Sequence, residues 1–506
     1  MRGRPRPTAA AAALLLLAGG LVACGGDGDR PTSQPSAGPR GATVAVSRLP
    51  TELDPALATT PAQRAIAVAT QTPLLTYRRT VADDAAELQP ALAGDLPELS
   101  EDDTEYRFQL RRGLVYADGR LLKASDVERG IAHASVAAAD PELRAVLRLI
   151  TGTPSRDGES LSGVRSDDRT GVIVVQLRRP DGRLPYALAD PATAPMPELP
   201  RRGQAPASTG PLRIASRSAR SIELAANPLR PTISTVPSAK LAQVSIVRRP
   251  SGADAQLASG AIDLDLTTPV AGAPVKGVTR VTGPTTLVVA AYVSPTGALA
   301  SRSARAALAD AIDTREIARR SPPFTATCGI LPPYAVGATD REPCPAAPAD
   351  DPAGQLTGRT VRIDGGEQGL GTTFADTVVA PAVAALGGTP QVGAGGDERA
   401  LRRLADGDLD VAVVAERPTL PHPALWLAGA ESVDALVARE VPKLLRGPLT
   451  GTGGRWAELE RRIVDRGVAI PLATYSRTVS VGPQVDRRTI VIHPILGLDL
   501  GALDLA

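Results

Sequence analysis

The sequence predicts an α/β protein with more than one lobe. Strand-like and helix-like hydrophobic periodicities alternate along the chain, as they do where helices pack against a sheet. One stretch has the pattern of a βα unit, with an apolar strand at 361–363, a helix at 373–386 and a second strand at 409–414. The segment 42–506 exceeds the roughly 250–300 residues that one hydrophobic core supports. An α+β protein of more than one lobe is the alternative.

Each remaining element has its own local signal. Period-two alternation or β-branched runs predict strands at 42–46, 104–110, 171–177, 221–224, 244–247 and 286–293, the last suited to a strand between lobes. Apolar positions three and four residues apart predict helices at 61–75, 125–139 and 304–319. For the helix at 125–139 we expect Ser125 as the N-cap, with Glu128 completing a capping box.

The N-terminus has the pattern of a secretory signal peptide at 1–23. Three early arginines precede an apolar run that is too short to span a bilayer and ends in small residues. The sequence Leu21-Val22-Ala23-Cys24 resembles the lipobox of bacterial lipoproteins, which implies that Cys24 is lipidated and becomes the mature N-terminus. An ordinary signal peptide with a chance cysteine is the alternative. Residues 24–41 are poor in apolar side chains and are predicted to be a flexible tether.

The composition gives no support for a nucleic-acid partner and indicates what kind of genome encodes the protein. The net charge of +2 comes from nearly balanced totals, so no electrostatic argument favours nucleic acid. Four lysines stand against 52 arginines, and asparagine occurs once, which is the pattern of a GC-rich genome. We therefore expect an exported protein of a GC-rich bacterium, held by acyl chains on the extracellular face of the cell membrane.

The other two cysteines, Cys328 and Cys344, lie in a proline-rich stretch at 321–352. In an exported protein the natural expectation is a disulfide between them, which would stabilise the fold by about 3 kcal/mol. A metal or redox pair is the alternative, although no CxxC spacing is present.

A collinear set of motifs runs through the chain. It comprises Leu-Gln-Pro-Ala-Leu-Ala at 88–93, the run from Glu105 to Gly119, Leu122 to Val127, Thr209 to Pro211, Leu257 to Asp263, Ala304 to Asp313, and Ile470 to Leu472. This set resembles the signature of the bacterial extracellular solute-binding proteins of family 5. Those proteins are the oligopeptide-, dipeptide- and nickel-binding lipoproteins of ABC importers.

The resemblance implies a two-lobed periplasmic-binding-protein-like fold that closes on a ligand. It implies lobe I at 42–287, with an extra subdomain at about 55–200, lobe II at 288–475, and a return to lobe I at 476–506. It also implies the partners, which are a peptide or peptide-like solute and the permease subunits of an ABC importer. We expect a monomer without a cofactor.

The resemblance also indicates where a peptide would be held. In the family, an aspartate just beyond a strand pairs with the free amino terminus, and the corresponding run here is 409–423. Asp410 and Pro423 match the family pattern, but Glu416 stands at its tryptophan, Thr419 at its amine-binding aspartate and His422 at its second acid. A buried ammonium without a carboxylate is costly, so this departure weakens the expectation for ordinary peptides. The candidate ligand contacts are Glu416, Thr419, Trp426, Tyr292 and Thr209, and core packing is the alternative for Trp426 and Tyr292.

Enzymatic and metal-binding functions have little support. The sequence has no G-x-S-x-G or H-E-x-x-H motif, so we expect no catalytic residue. His133, His422 and His493 are far apart and are predicted to be surface or loop residues rather than metal ligands. The alternative function is a binding-protein scaffold that no longer transports and acts as an envelope sensor or interaction partner.

Overall fold

The computed structural model describes residues 41–80, 86–267, 275–313, 317, 324–338, 354–365, 370–393, 397–447 and 452–506. The predicted signal peptide, the lipidation site Cys24, residues 24–40 of the tether and Cys344 lie outside these residues. Signal processing, lipidation and the disulfide therefore stay predictions. No helix within these ranges is long and apolar enough to cross a membrane.

Strands and helices alternate through the described residues. The strands are β1 Gly41–Val46, β2 Leu75–Tyr77, β3 Leu88–Pro90, β4 Glu98–Leu99, β5 Glu105–Gln109, β6 Val164–Asp167, β7 Val172–Gln176, β8 Leu212–Arg217, β9 Ser221–Ala226, β10 Gln243–Arg248, β11 Leu264–Asp265, β12 Thr279–Val293, β13 Phe324–Ala326, β14 Thr360–Asp364, β15 Thr389–Gly393, β16 Val411–Glu416, β17 Ala469–Val481, β18 Ile492–His493 and β19 Gly497–Leu498. The helices are α1 Pro61–Thr70, α2 Ala124–Ala137, α3 Pro141–Leu147, α4 Leu184–Ala187, α5 Ala253–Ser259, α6 Arg302–Ala311, α7 Leu370–Phe374, α8 Ala380–Ala385, α9 Asp397–Ala405, α10 Pro423–Trp426, α11 Ala428–Glu431, α12 Ala435–Leu444 and α13 Gly453–Asp465.

Eleven of the described strands form one mixed sheet. Its order is β15-β14-β16-β12-β17-β11-β1-β10-β9-β8, with β13 pairing beside it on β17. Parallel pairs join β1 to β10 and β11 at one end and β14 to β15 and β16 at the other. The predicted α/β class is confirmed.

Two long strands, β12 and β17, connect the two ends of this sheet. They pair antiparallel from Thr279 opposite Val481 to Tyr292 opposite Ala469. The last residues of β17 also pair with β11, whereas residues 288–293 of β12 pair with β16. We call the part built on β1 and β8–β11 the first lobe, and the part built on β14–β16 the second lobe. The predicted boundaries at 287/288 and 475/476 fall inside these two strands and remain predictions.

The ladder between β12 and β17 is irregular where the lobes meet. Thr282 pairs with Thr478 and Thr285 with Ser476, so Gly283 and Pro284 together oppose Arg477. Proline has no N–H to donate to a ladder, and an arrangement of two residues against one is a β-bulge. Thr286 is a second extra residue, before Leu287 pairs with Tyr475.

The first lobe carries an additional antiparallel sheet of order β4-β5-β7-β6, with α2 and α3 beside it. Its inward side chains, such as Tyr106, Phe108 and Ile173, are buried together with Ile131 of α2. Separate cores lie in the first-lobe sheet, around Val44, and in the second lobe.

The predicted N-cap of the helix at 125–139 was wrong. Helix α2 begins at Ala124, and the N–H of Lys123 is bound by Asp126 Oδ2 at 3.0 Å, so Ser125 is not the N-cap. Ser125 instead donates its N–H and hydroxyl to Asp168 at 2.8 and 3.0 Å. The sequence could not distinguish these arrangements because Asp126 is also three residues after a possible cap.

A buried carboxylate in α13 supports the loop that contains Cys328. Glu460 Oε1 accepts the N–H groups of Ile330 and Leu331 at 2.7 and 2.8 Å. Both N–H groups lose their acceptor in Glu460→Ala, so we expect the free energy of unfolding to fall by about 2–5 kcal/mol. Glu460→Gln, which keeps an oxygen acceptor, should lose less. Urea denaturation measures both, and a loss within about 0.5 kcal/mol for the alanine variant would contradict this role.

Candidate functional site

A cavity of about 400 Å³ opens where the two lobes and the long strands meet. The first lobe contributes the start of α1 and the turn between α2 and α3, and the second lobe contributes the residues that follow β16. Thr286 of β12 and Arg477 of β17 line it, as do residues 494–497 near the C-terminus. Two of the irregular positions in the pairing of the long strands therefore place a residue on this cavity.

The N-terminus of α1 forms one wall. The Thr60 hydroxyl accepts the N–H of Gln63 at 3.3 Å, while Gln63 Oε1 accepts the N–H of Thr60 at 3.1 Å, which is a capping box. One turn later, Arg64 pairs with Asp190 at 3.0 Å and donates to the carbonyl of Ile495 at 3.3 Å. The positive charge of Arg64 is therefore compensated within the protein.

A hydrogen-bonded contact crosses the cavity from lobe to lobe. The N–H and hydroxyl of Thr419 both donate to Glu142 Oε2, at 2.9 and 3.0 Å. Burial, and secondarily Asp140, raise the pKa of Glu142, although the bonds from Thr419 act in the opposite direction. Asp140 caps α3 through Oδ1, and its buried Oδ2 has no hydrogen-bond partner among the described residues. The wall opposite Thr419 is therefore acidic.

Two guanidinium groups on the cavity, those of Arg417 and Arg477, have no ion-pair or hydrogen-bond partner within the described ranges. Arg477 is half-buried on β17, whereas Arg417 is exposed. Burial, followed by the charge of Arg417 and then that of Arg64, lowers the pKa of Arg477. These guanidinium groups form a positive region of the cavity.

The five predicted ligand contacts do not lie together on the cavity. Thr419 lines it, but Tyr292 and Trp426 are fully buried and do not line it. The Tyr292 hydroxyl donates to the carbonyl of Trp426 at 3.2 Å; burial, and then the Glu416 carboxylate, raise the pKa of Tyr292. Glu416 therefore lies beside Tyr292 in a buried polar group. Thr209 lies in the first lobe, where its hydroxyl accepts the N–H of Thr72 at 2.7 Å.

Other residues singled out in the sequence have structural roles in the described residues. Asp410 accepts the N–H of Arg362 at 2.9 Å and pairs with its guanidinium at 3.1 Å. His422 caps α10 through Nδ1, and burial lowers its pKa to about 3, so it is neutral at physiological pH.

We expected the three histidines to be surface or loop residues. This expectation was wrong for their exposure to solvent. His133, His422 and His493 are all buried. His133 lies between Asp54 and Asp157, at 2.8 and 2.9 Å, and His493 Nδ1 accepts the N–H of Ile495. No group of three or more potential ligating side chains is placed to hold a metal ion within the described ranges.

Sequence reasoning missed Glu142, Asp140, Arg417 and Arg477. Glu142 lies 277 positions from Thr419, and no local pattern links the two. Arg417 lies inside the run 409–423 that was compared with the family pattern. It could have been found by looking for charged residues in that run that the pattern does not specify. Arg477 could have been found from the Gly-Pro pair in the interlobe strand, because that pair predicts a bulge.

Solved structures of similar fold are two-lobed binding proteins. The structure named clavulanic acid biosynthesis oligopeptide binding protein 2 has a TM-score of 0.75 at 21% identity, over 92% of this chain and 96% of that chain. The periplasmic murein tripeptide binding protein MppA, in an unliganded open form, has a TM-score of 0.75 at 16% identity, over 93% and 98%. DppA from Helicobacter pylori, in complex with the peptide STSA, has a TM-score of 0.59 at 16% identity, over 92% and 98%. These similarities establish the fold. A comparison with curated proteins gave no match.

The fold is that of a two-lobed binding protein, and the cavity lies where the lobes meet. The sequence profile of the bacterial extracellular solute-binding proteins, family 5 middle region, matches residues 87–353, which is more than half of the chain. The chain therefore belongs to family 5 of these proteins and is a binding protein rather than an enzyme, as the resemblance predicted.

The contact between Glu142 and Thr419 gives a prediction for pH dependence. The folded-state pKa of Glu142 lies above the ordinary value of 4.5, so folding favours the protonated acid. The contribution of Glu142 to stability is therefore greatest below pH 4.5 and falls as the pH rises through the raised pKa. Glu142→Gln keeps an oxygen acceptor without a charge and should remove this dependence.

Urea denaturation of both proteins from pH of about 4 to about 8 measures the effect. The stability of the wild type relative to Glu142→Gln should decline as the pH rises. An unchanged difference across the range would contradict the raised pKa.

Proposed function

We propose that this protein is a lipid-anchored extracellular solute-binding protein that delivers a peptide or peptide-like solute to an ABC importer. The observation that supports this proposal most is the cavity lined by both lobes, with Glu142 of the first lobe bound to Thr419 of the second. A solute in this position contacts both lobes, so its binding energy favours the closed arrangement. We propose that the protein acts as a monomer.

In this proposal the two long strands, β12 and β17, form the hinge for closure of the lobes. In this proposal the lobes move about the bulges beside Gly283 and Arg477, where pairing is irregular, while the regular ladders of each lobe move as units. The permease then distinguishes the closed, loaded form from the open one. The binding protein makes and breaks no covalent bond.

The chemistry at Thr419 favours solutes without a free amino terminus. The Thr419 hydroxyl is neutral, and Glu142, whose pKa is raised, is already used by two hydrogen bonds from Thr419. A neutral amide end can take a hydrogen bond here without leaving a buried charge unpaired. N-blocked, cyclic or otherwise uncharged ends are therefore the better candidates. Asp140 Oδ2 is the carboxylate oxygen that could hold an amine instead.

The test compares matched peptide pools with free and acetylated amino termini, by thermal shift and calorimetry. We expect the acetylated pool to bind at least about tenfold more tightly, which corresponds to the cost of one poorly paired buried charge. Thr419→Val, which keeps the volume of the side chain, should weaken binding of the acetylated pool. Tight binding of free-amino peptides that survives Thr419→Val and Glu416→Ala, but not Asp140→Asn, would place the amine on Asp140 and contradict this preference.

The anchor is part of the proposal and rests on the lipobox-like sequence before Cys24. Cys24→Ser should release the mature domain from the membrane fraction or leave an unprocessed precursor, because the thiol that carries the lipid is absent. Fractionation with an antibody against the domain measures this. A variant that is processed and membrane-bound like the wild type would refute the anchor. The exported location also favours the proposed Cys328–Cys344 disulfide.

A specific contact favours the second candidate, a scaffold that no longer transports. Tyr186 of the first lobe packs edge-on against His422 of the second at 5.3 Å, and His422 packs against Trp456 at 5.4 Å. The N–H of Gly182 also donates to the carbonyl of Leu445 at 2.8 Å. Buried apolar contacts of this kind stabilise the closed arrangement without a solute. A solute-free protein that stays closed in small-angle scattering, and that no solute stabilises, would favour the sensor function.

A further inference from the structure

We infer that one edge of the first-lobe sheet binds the phosphate headgroups of an anionic phospholipid membrane. The edge consists of Arg48, Arg217, Arg220 and Arg248, and we call it the basic edge. The inference rests on the anchoring part of the proposed function, because a lipid on Cys24 would hold the domain beside a membrane. It concerns residues that do not line the interlobe cavity.

The register of the sheet brings the four arginines of the basic edge together. Arg248 ends β10 and pairs with Val46 at the end of β1, and Arg48 follows two residues later. Arg217 and Arg220 flank the turn between β8 and β9, and the start of β9 pairs with the end of β10. Neighbouring strands lie about 4.8 Å apart, so these strand ends place four guanidinium groups along one edge of the sheet.

The charges of the basic edge are not paired with carboxylates among the described residues. Arg48, Arg217 and Arg248 line a cavity of about 450 Å³ whose other described lining residues are serine, threonine, alanine, leucine and proline. The side chains of Arg48, Arg220 and Arg248 have no ion-pair or hydrogen-bond partner within the described ranges. Glu52, the carboxylate nearest to Arg48 in sequence, is occupied by three backbone N–H groups at 2.9 to 3.2 Å. The edge therefore has a net positive charge.

Arg217 is held at this cavity by the backbone. Its guanidinium donates to the carbonyl oxygens of Gly203, Thr51 and Pro50, at 2.7, 2.9 and 3.3 Å. Carbonyl oxygens satisfy the N–H groups but leave the positive charge in place. The contrast is Arg249, one residue beyond the edge, which pairs with two carboxylates at 2.6 and 2.8 Å. The fold thus fixes one guanidinium in position and leaves its charge for an anion from outside.

The exposure of these side chains indicates which anion fits. All four arginines are exposed. Salt screens an exposed charge, so a single free phosphate gains little from it. A membrane surface presents many phosphates at once, and each nearby arginine strengthens binding roughly fivefold. Residues 24–40, as a flexible chain, would span roughly 20–25 Å, which keeps the anchored domain within reach of the membrane.

The test uses the mature chain with Cys24→Ser, which carries no lipid, and measures its sedimentation with vesicles. Vesicles of phosphatidylcholine that contain phosphatidylglycerol should bind it about 100-fold more tightly than vesicles of phosphatidylcholine alone. High salt should abolish this preference, because the contact is electrostatic and exposed. The double variant Arg48→Gln, Arg248→Gln should weaken binding to the anionic vesicles about 25-fold, since both side chains are exposed and their loss should not disturb folding.

A second double variant controls for net charge. Arg455→Gln, Arg462→Gln removes the same charge from exposed positions of α13 in the second lobe and should leave vesicle binding unchanged. Equal weakening by the two double variants would overturn the assignment to the basic edge. An absence of binding to anionic vesicles at low salt would also overturn the inference.

Inorganic phosphate distinguishes the two sources of the headgroup chemistry. At constant ionic strength, millimolar phosphate should not displace the chain from anionic vesicles. Displacement would assign the edge to a free anion and overturn the membrane as its partner. These measurements need neither a solute nor the lipid, so their failure leaves the proposed function to be judged by peptide binding and by the fractionation of Cys24→Ser.

Discussion

The pairing of β12 with β17 is the constraint on which the rest of the structure depends. These two strands belong to the sheets of both lobes, since β17 reaches β11 at its end and β12 reaches β16. A one-residue slip between them would turn the side chains of the slipped strand to the opposite face of the sheet. The extra residues at Gly283-Pro284 and Thr286 are therefore accommodated as bulges, and they place Thr286 and Arg477 on the cavity.

The cavity does more than lack a carboxylate at position 419. The resemblance predicts that Thr419 occupies the position of the family's amine-binding aspartate, and the structure places a carboxylate of the other lobe, Glu142, directly against it. Position 417 adds a guanidinium in the same run, beside Arg477. The cavity therefore has acidic groups on the first lobe and positive groups on the hinge and second lobe.

Much of the fold could be predicted from the sequence because its signals are local. The predicted strand at 244–247 is observed as Gln243–Arg248, and the predicted helix at 373–386 spans α7 and α8 with a π-helical turn between them. The predicted helix at 61–75 ends earlier, at Thr70, because Gln71 adopts an extended backbone before Pro73. The cavity could be predicted less well because its residues come from distant segments. Tyr292 and Trp426 illustrate the difficulty, since an aromatic residue near a hinge is as suitable for a core as for a ligand contact.

A crystal structure of the full mature chain, with the solute that co-purifies from its own envelope or with the best-retained peptide, tests the central claim most directly. We expect density for the solute in the cavity between Thr286 and residues 494–497, in contact with residues of both lobes. The contact between Thr419 and Glu142 should close over it or be replaced by the solute. Density for the solute at any other place would contradict the account.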